Sequence, residues 1–166
     1  MQIERLFDAH QHALFRYLAR YTGDPDLAED LVQETFVRLH RRPPKDLGAT
    51  RAWLFTVGTN LARDVLRQHK RRRGLLDHSP GRAPVGDGPM APEETAVRAD
   101  VAQRVQAALA QLDDRDRIML LMREEGFTHA EIAREVGTTT KSVGTMIARA
   151  LDRLARTLPL DAEDRP

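Results

Sequence analysis

The 166-residue sequence contains no cysteine. Disulfides, thiol catalysis and thiolate zinc sites are thereby excluded, and a reducing compartment is the natural setting. No apolar run approaches the length of a bilayer span, and Met1-Gln2-Ile3-Glu4-Arg5 lacks the basic-then-apolar plan of a secretory signal. A cytoplasmic protein without membrane insertion of its own is expected. No segment alternates with the period of a strand, and none repeats. Also missing are a carboxylate pair, a nucleophile with its base, and a glycine-rich phosphate loop, so the sequence points to neither an enzyme nor a cofactor. Even net charge is slight, at +1, but it is unevenly spread: residues 1–74 hold 14 Lys and Arg against 9 Asp and Glu, whereas residues 75–100 hold 2 against 5.

What is present is helical periodicity within a composition that is 41% hydrophobic and 31% charged. Ile3, Leu6, Phe7, His10, Leu14, Tyr17, Leu18 and Tyr21 mark one amphipathic helix that ends near Gly23. His10 lies on that stripe without a second ligand on its face, so it reads as a packed or hydrogen-bonded histidine, not a metal ligand. Asp24 caps a second helix with Pro25 in its first turn, running to about Arg41. There Leu27, Ala28, Leu31, Thr35 and Leu39 face inward, while Asp30, Gln33, Glu34, Val37 and Arg38 face out. By spacing alone the Asp30–Glu34 ridge is a solvated face.

Two prolines and a glycine make residues 41–49 a loop, and Thr50 restarts helix. Trp53, Leu54, Val57, Gly58, Leu61, Ala62, Val65 and Leu66 form its apolar side, with Gly58 permitting a close helix contact. Arg51, Thr56, Asn60, Arg63, Asp64, Arg67 and Lys70 form the other, leading into the basic run Lys70–Arg73. Amide, hydroxyl and guanidinium groups beside a tryptophan suit nucleic acid, although Trp53 could equally be core. Residues 74–92 are rich in Gly, Pro and Asp and read as a flexible linker. Helix returns over residues 93–112, with Ala96, Val97, Val101, Val105, Ala108, Leu109 and Leu112 inward; Asp113 caps a further helix that stops at Gly126.

The last segment reads as a helix-turn-helix. Thr128 and Glu131 form a capping box, and Ala133 is small enough for a second helix to cross closely. Gly137 suits a left-handed turn, and Thr138 or Thr139 caps the second helix. Val143, Ile147, Ala150, Leu151 and Leu154 pack that helix inward; Thr140, Lys141, Ser142, Thr145, Arg149, Arg153 and Arg156 lie on its other face, suited to a major groove. An ordinary αα-hairpin with a solvated basic face is the alternative.

Taken together, these motifs resemble the extracytoplasmic-function (ECF) class of bacterial sigma factors. Residues 26–36 look like the family's polymerase-clamp helix, residues 51–64 like its promoter-melting and minus-10 helix, and residues 112–158 like its fourth conserved region. The resemblance implies an all-α fold of two small helical domains: region 2 over 1–74, a flexible linker over 75–92, and region 4 over 93–160. It implies a bacterial alternative sigma factor that directs promoter-specific initiation, with core RNA polymerase, promoter DNA and an anti-sigma factor as partners. It reassigns the acidic ridge, so that Asp30, Leu31, Gln33, Glu34 and Phe36 would dock on core polymerase. Pro43, Lys45, Trp53, Thr56, Asn60, Arg63, Arg67, Lys70 and Arg71 would bind the minus-10 element, the loop from Pro43 to Thr50 holding a flipped base. Thr140, Lys141, Ser142, Thr145, Arg149 and Arg153 would bind the minus-35 element. Many members carry basic residues where this chain has Gly144 and Met146, which implies a weaker or altered minus-35 contact. A free-standing helix-turn-helix regulator is the rival reading; it would require a dimerisation seam and a palindromic site.

Overall fold

A computed structural model describes residues 2–74 and 92–158. Most of the expected linker, and the last residues of the expected second domain, lie outside them. The described residues are all-α, and they form two compact units.

The first unit contains α1 (Gln2–Thr22), α2 (Pro25–Arg41), a single 3-10 turn (Leu47–Ala49) and α3 (Thr50–Arg73). The expected loop thus holds a short helical turn, closed by the Asp46 carboxylate, which accepts from the Gly48 N–H at 2.9 Å. Asp24 caps α2 as its sequence position implies, accepting from the N–H groups of Asp26 and Leu27. Leu14, Tyr17, Leu18, Leu39, Leu54 and Phe55 are fully or almost fully buried where the three helices meet. Gly58 marks the tightest approach: a Cβ there would lie 3.3 Å from both Leu14 Cδ1 and Leu18 Cδ1. Removing that side chain lets α3 sit directly on α1, which is the contact its spacing anticipates.

Polar groups inside this core are satisfied locally and across helices. The Thr35 hydroxyl donates to the Leu31 carbonyl at 2.7 Å, and Thr59 Oγ1 donates to the Phe55 carbonyl at 2.7 Å. Thr59 Oγ1 also shares a 2.8 Å hydrogen bond with Tyr17 Oη, so α1 and α3 are joined by a directional contact as well as by packing.

The second unit contains α4 (Pro92–Gln111), α5 (Asp114–Glu124), α6 (His129–Val136) and α7 (Thr140–Thr157). Ile118, Met119, Met122, Phe127, Ile132, Val143 and Ala150 form its core. Both halves of the capping box are made, with Glu131 N–H donating to Thr128 Oγ1 and Thr128 N–H donating to Glu131 Oε2. Gly137 adopts φ 70°, ψ 46°, the left-handed geometry that ends α6.

Three expectations are corrected here. Ala96 is exposed, and Val97 and Val101 are 66% and 53% exposed: only the C-terminal part of α4, at Ala108 and Leu109, and Leu112 just beyond it reach the core. Leu151 is 50% exposed, because the buried seam of α7 runs through Val143, Ile147 and Ala150, and Leu151 falls beside it. Thr139 occupies the cap position of α7 but its side chain caps nothing; its hydroxyl pairs with Ser142 Oγ at 2.7 Å.

Candidate functional site

On α2 the buried set is Ala28, Leu31, Val32, Thr35, Phe36 and Leu39. This stripe is wide because α1 and α3 both cover the helix. Asp30, Gln33 and Glu34 remain exposed on the opposite side, joined by Val37 and Arg38. Leu31 is core as its spacing implies, and Phe36 is core as well, so neither lies on the outward docking surface to which the resemblance assigned them. Phe36 is 6% exposed and meets Phe7 edge-on, with ring centroids 4.9 Å apart. The outward carboxylates are not equivalent, since Glu34 Oε1 accepts from Arg38 Nε at 3.1 Å one turn along the helix.

Opposite the Gly58 contact, α3 carries Trp53, Thr56, Asn60, Arg63, Arg67 and Lys70 at steps of three and four residues, so all six share one face. Trp53, Thr56 and Arg63 are half-buried; Asn60, Arg67, Lys70 and Arg71 are exposed. From Trp53 to Lys70 this track extends about 26 Å. Asn60 Oδ1 accepts from Arg63 NH1 at 3.3 Å, which orients the amide along the face. Ahead of α3, Pro43 and Lys45 are exposed, and Thr50 Oγ1 donates to the Leu47 carbonyl, tying the turn to the helix start.

Thr59 and Phe55, which spacing did not single out, help to hold this face in place. The Tyr17–Thr59 bond fixes α3 from behind, and the Arg51 guanidinium lies 5.9 Å from the centre of the Phe55 ring. His10 sits nearby: burial, and secondarily the positive charge of Arg51, hold its pKa below the ordinary 6.5. The Tyr17–Thr59 bond joins residues 42 apart in the chain, and no local motif announces it.

On α7, Thr140, Lys141, Gly144, Thr145, Ala148 and Arg149 are exposed, and Ser142 is half-buried. Met146 turns inward, its sulfur accepting from Thr138 Oγ1 at 3.6 Å and, weakly, from Arg115 at 3.9 Å. Gly144 lies beside His129 of α6, whose Cε1 is 3.6 Å from where a Cβ would stand. Arg153 lines the same surface depression as Arg149, Asp152 and Arg156, but it has a further partner. Its guanidinium is ion-paired with Asp116 Oδ2 of α5. Arg149, Arg153 and Arg156 gather around Asp152, which places a carboxylate within the basic end of the helix.

Among the described residues, no group of three or more His, Asp or Glu side chains could hold a metal ion, and no helix is long and apolar enough to cross a membrane.

Residues 6–72 match the model of sigma-70 region 2, and residues 102–154 match that of sigma-70 region 4. The chain is 33% identical to the ECF RNA polymerase sigma factor SigL of Mycobacterium tuberculosis over 158 residues, spanning 92% of this chain and 86% of that protein. It is also 33% identical to the RNA polymerase sigma factor CnrH of Cupriavidus metallidurans over 157 residues, spanning 87% and 81%. Among solved structures, CnrH in complex with the cytosolic domain of CnrY superposes with a TM-score of 0.67 at 25% identity, covering 96% of this chain and 89% of that one. The sigma factor RpoE of Bartonella quintana, solved with the anti-sigma factor NepR, superposes with a TM-score of 0.69 at 23% identity, covering 96% and 98%, and so shares the fold. Two family models in chain order, falling on the two helical units, together with full-length relatives, leave one conclusion: the chain belongs to the ECF class of sigma-70 RNA polymerase sigma factors.

Proposed function

We propose that this sigma factor docks on core RNA polymerase through the outward face of α2, captures the minus-10 element along α3, and places α7 in the minus-35 major groove. The observation that carries the reading is the division of α3. One face is sealed into the core at Gly58 and Thr59, while the other presents a continuous polar and basic track long enough to follow several nucleotides of a single strand. Arg67, Lys70 and Arg71 supply phosphate-facing charge; Trp53, Thr56, Asn60 and Arg63 supply stacking and hydrogen-bonding groups. Pro43, Lys45 and the turn before α3 border the place for a flipped base, whose extrusion costs a few kcal/mol that a preformed pocket offsets.

Asp30, Gln33 and Glu34 form the polymerase-facing surface, and Leu31 and Phe36 are its buried floor. Lys141, Thr145 and Arg149 lead the minus-35 contact, supported by Thr140 and Ser142. The protein acts in the cytoplasm, catalyses nothing by itself, and leaves the chemistry to the polymerase. The complex of CnrH with the cytosolic domain of CnrY supports a protein partner besides the polymerase here as well, for which an anti-sigma factor is our reading.

The test is co-purification with core polymerase, comparing the parent chain with Asp30→Ala/Glu34→Ala. Truncating one partner of a desolvated charge pair typically costs about 2–5 kcal/mol, so the double variant is expected to lose core binding while retaining its helical circular dichroism. Unchanged affinity for core would remove α2 from the interface.

A further inference from the structure

We infer that Asp116 and Arg153 are a positioning pair that sets the roll of α7, so that Arg153 acts on minus-35 recognition through Asp116 and not by touching phosphate. The inference rests on the reading of α7 as the minus-35 helix.

The pair joins residues 37 apart in sequence, on two different helices. The Asp116 side chain is 7% exposed, and that of Arg153 is 53% exposed, so a surface arginine reaches down to a buried carboxylate. Asp116 is itself anchored: it stands in the first turn of α5, and its N–H donates to Asp113 Oδ1 at 2.8 Å. A carboxylate held in that way is a fixed point to which a longer side chain can be tied.

The rest of the α7 contact is mostly apolar packing. Val143, Ile147 and Ala150 form its buried seam in the core shared with α5 and α6, and the hydrophobic contribution there is non-directional. The weak contacts at Met146 add little orientation. Side-chain ends on a helix lie about 5–6 Å from its axis, so a roll of about 10° moves them by about 1 Å. Recognition geometry is kept within about 0.5 Å when it works. The charge-assisted bond to Asp116 lies eight residues beyond Thr145, about 12 Å along the axis, and supplies the directional restraint that the seam lacks.

The carboxylate partner on α5 distinguishes Arg153 from Arg149, although the two line the same stretch of surface. An arginine that neutralises a phosphate releases a counterion, and its loss reduces the salt slope of binding by about one. A positioning arginine leaves that slope alone and alters affinity and sequence discrimination together.

The experiment uses the full-length protein and a duplex selected by it from a randomised pool. Binding is measured by fluorescence anisotropy across several salt concentrations, against a scrambled duplex, with circular dichroism at the assay temperature reporting the folded fraction. Arg153→Gln and Asp116→Asn are each expected to weaken the selected duplex by about tenfold, with less effect on the scrambled one and an unchanged salt slope. The double variant should be no weaker than either single one, and Arg153→Lys should recover part of the loss. Arg149→Ala serves as the contrast, with a slope lower by about one. A reduced slope in Arg153→Gln, with wild-type affinity in Asp116→Asn, would overturn the inference in favour of a phosphate contact. Wild-type affinity and discrimination in both variants, with only a lower melting temperature, would overturn it in favour of a purely structural pair. Should Asp116→Asn not fold, Arg153→Gln and Arg153→Lys still decide by slope and discrimination. If the parent protein selects no sequence at all, the reading of α7 itself fails.

Discussion

Gly58 and His10 show how single residues set the first unit. A side chain at position 58 must push Leu14 and Leu18, both fully buried, aside by a few tenths of an ångström or more. Gly58→Val is therefore expected to cost about 1–3 kcal/mol of stability, the usual range for overpacking. Gly58→Ala should cost less, because the gain in helix propensity of about 1 kcal/mol offsets part of the strain. Urea denaturation of the two variants measures the difference, and equal midpoints would show that α1 gives way. His10 makes a prediction in pH. Its pKa is lowered in the fold, so between that value and 6.5 the unfolded chain binds more protons, and stability rises with pH across the window. Acidification below 6.5 should thus destabilise the protein, and His10→Gln should flatten the slope; an unaltered slope would assign the titration to another group. The sequence makes Gly58 legible because a lone glycine within a helical period has few other uses. It hides the Tyr17–Thr59 and Asp116–Arg153 contacts, since they depend on which helix faces cross and not on local spacing.

Elements whose signals are local were readable almost to the atom. The Thr128–Glu131 box, the Asp24 and Asp113 caps and the Gly137 turn each involve residues within a few positions of one another. Amphipathic faces were legible only in phase. Val97 and Val101 lie on the stripe that continues to Ala108, yet a period cannot say how far along a helix its partner extends. Likewise α2 shows Leu31 on its inward stripe but does not show that α1 and α3 both cover the helix and so bury Phe36 too. The turn between α6 and α7 permits a direct test. A Cβ at Gly137 would meet nothing within 4 Å, so Gly137→Ala carries backbone strain alone, about 1–2 kcal/mol for an L-residue held left-handed. Thermal melting is expected to show this loss, and Gly137→Asn a smaller one, with duplex affinity retained at temperatures where the variants are folded. A loss of affinity in the folded Ala variant would mean that the turn, and not only α7, reaches DNA.

For the molecule as a whole, the two units imply that different steps of initiation answer to different residues. Asn60→Ala is expected to slow promoter opening more than closed-complex formation, because the charge of Arg67 and Lys70 to Arg73 still supports encounter. Arg149→Ala should weaken the closed complex and leave opening of the bound promoter near normal. Permanganate reactivity of unpaired thymines reports the first effect, and gel shift at fixed salt the second; if both variants reduce both steps equally, the division of labour is wrong. The exposed strip of α7 has a consequence over longer times. Gly144, Thr145 and Ala148 are exposed and outside the buried seam, and even a methyl at position 144 would make only ordinary contact with His129. Surface substitutions of this kind usually change stability by no more than about 0.5 kcal/mol. After gene duplication, one copy could therefore diverge toward new promoters by single substitutions on this strip, each intermediate remaining a folded and competent sigma factor.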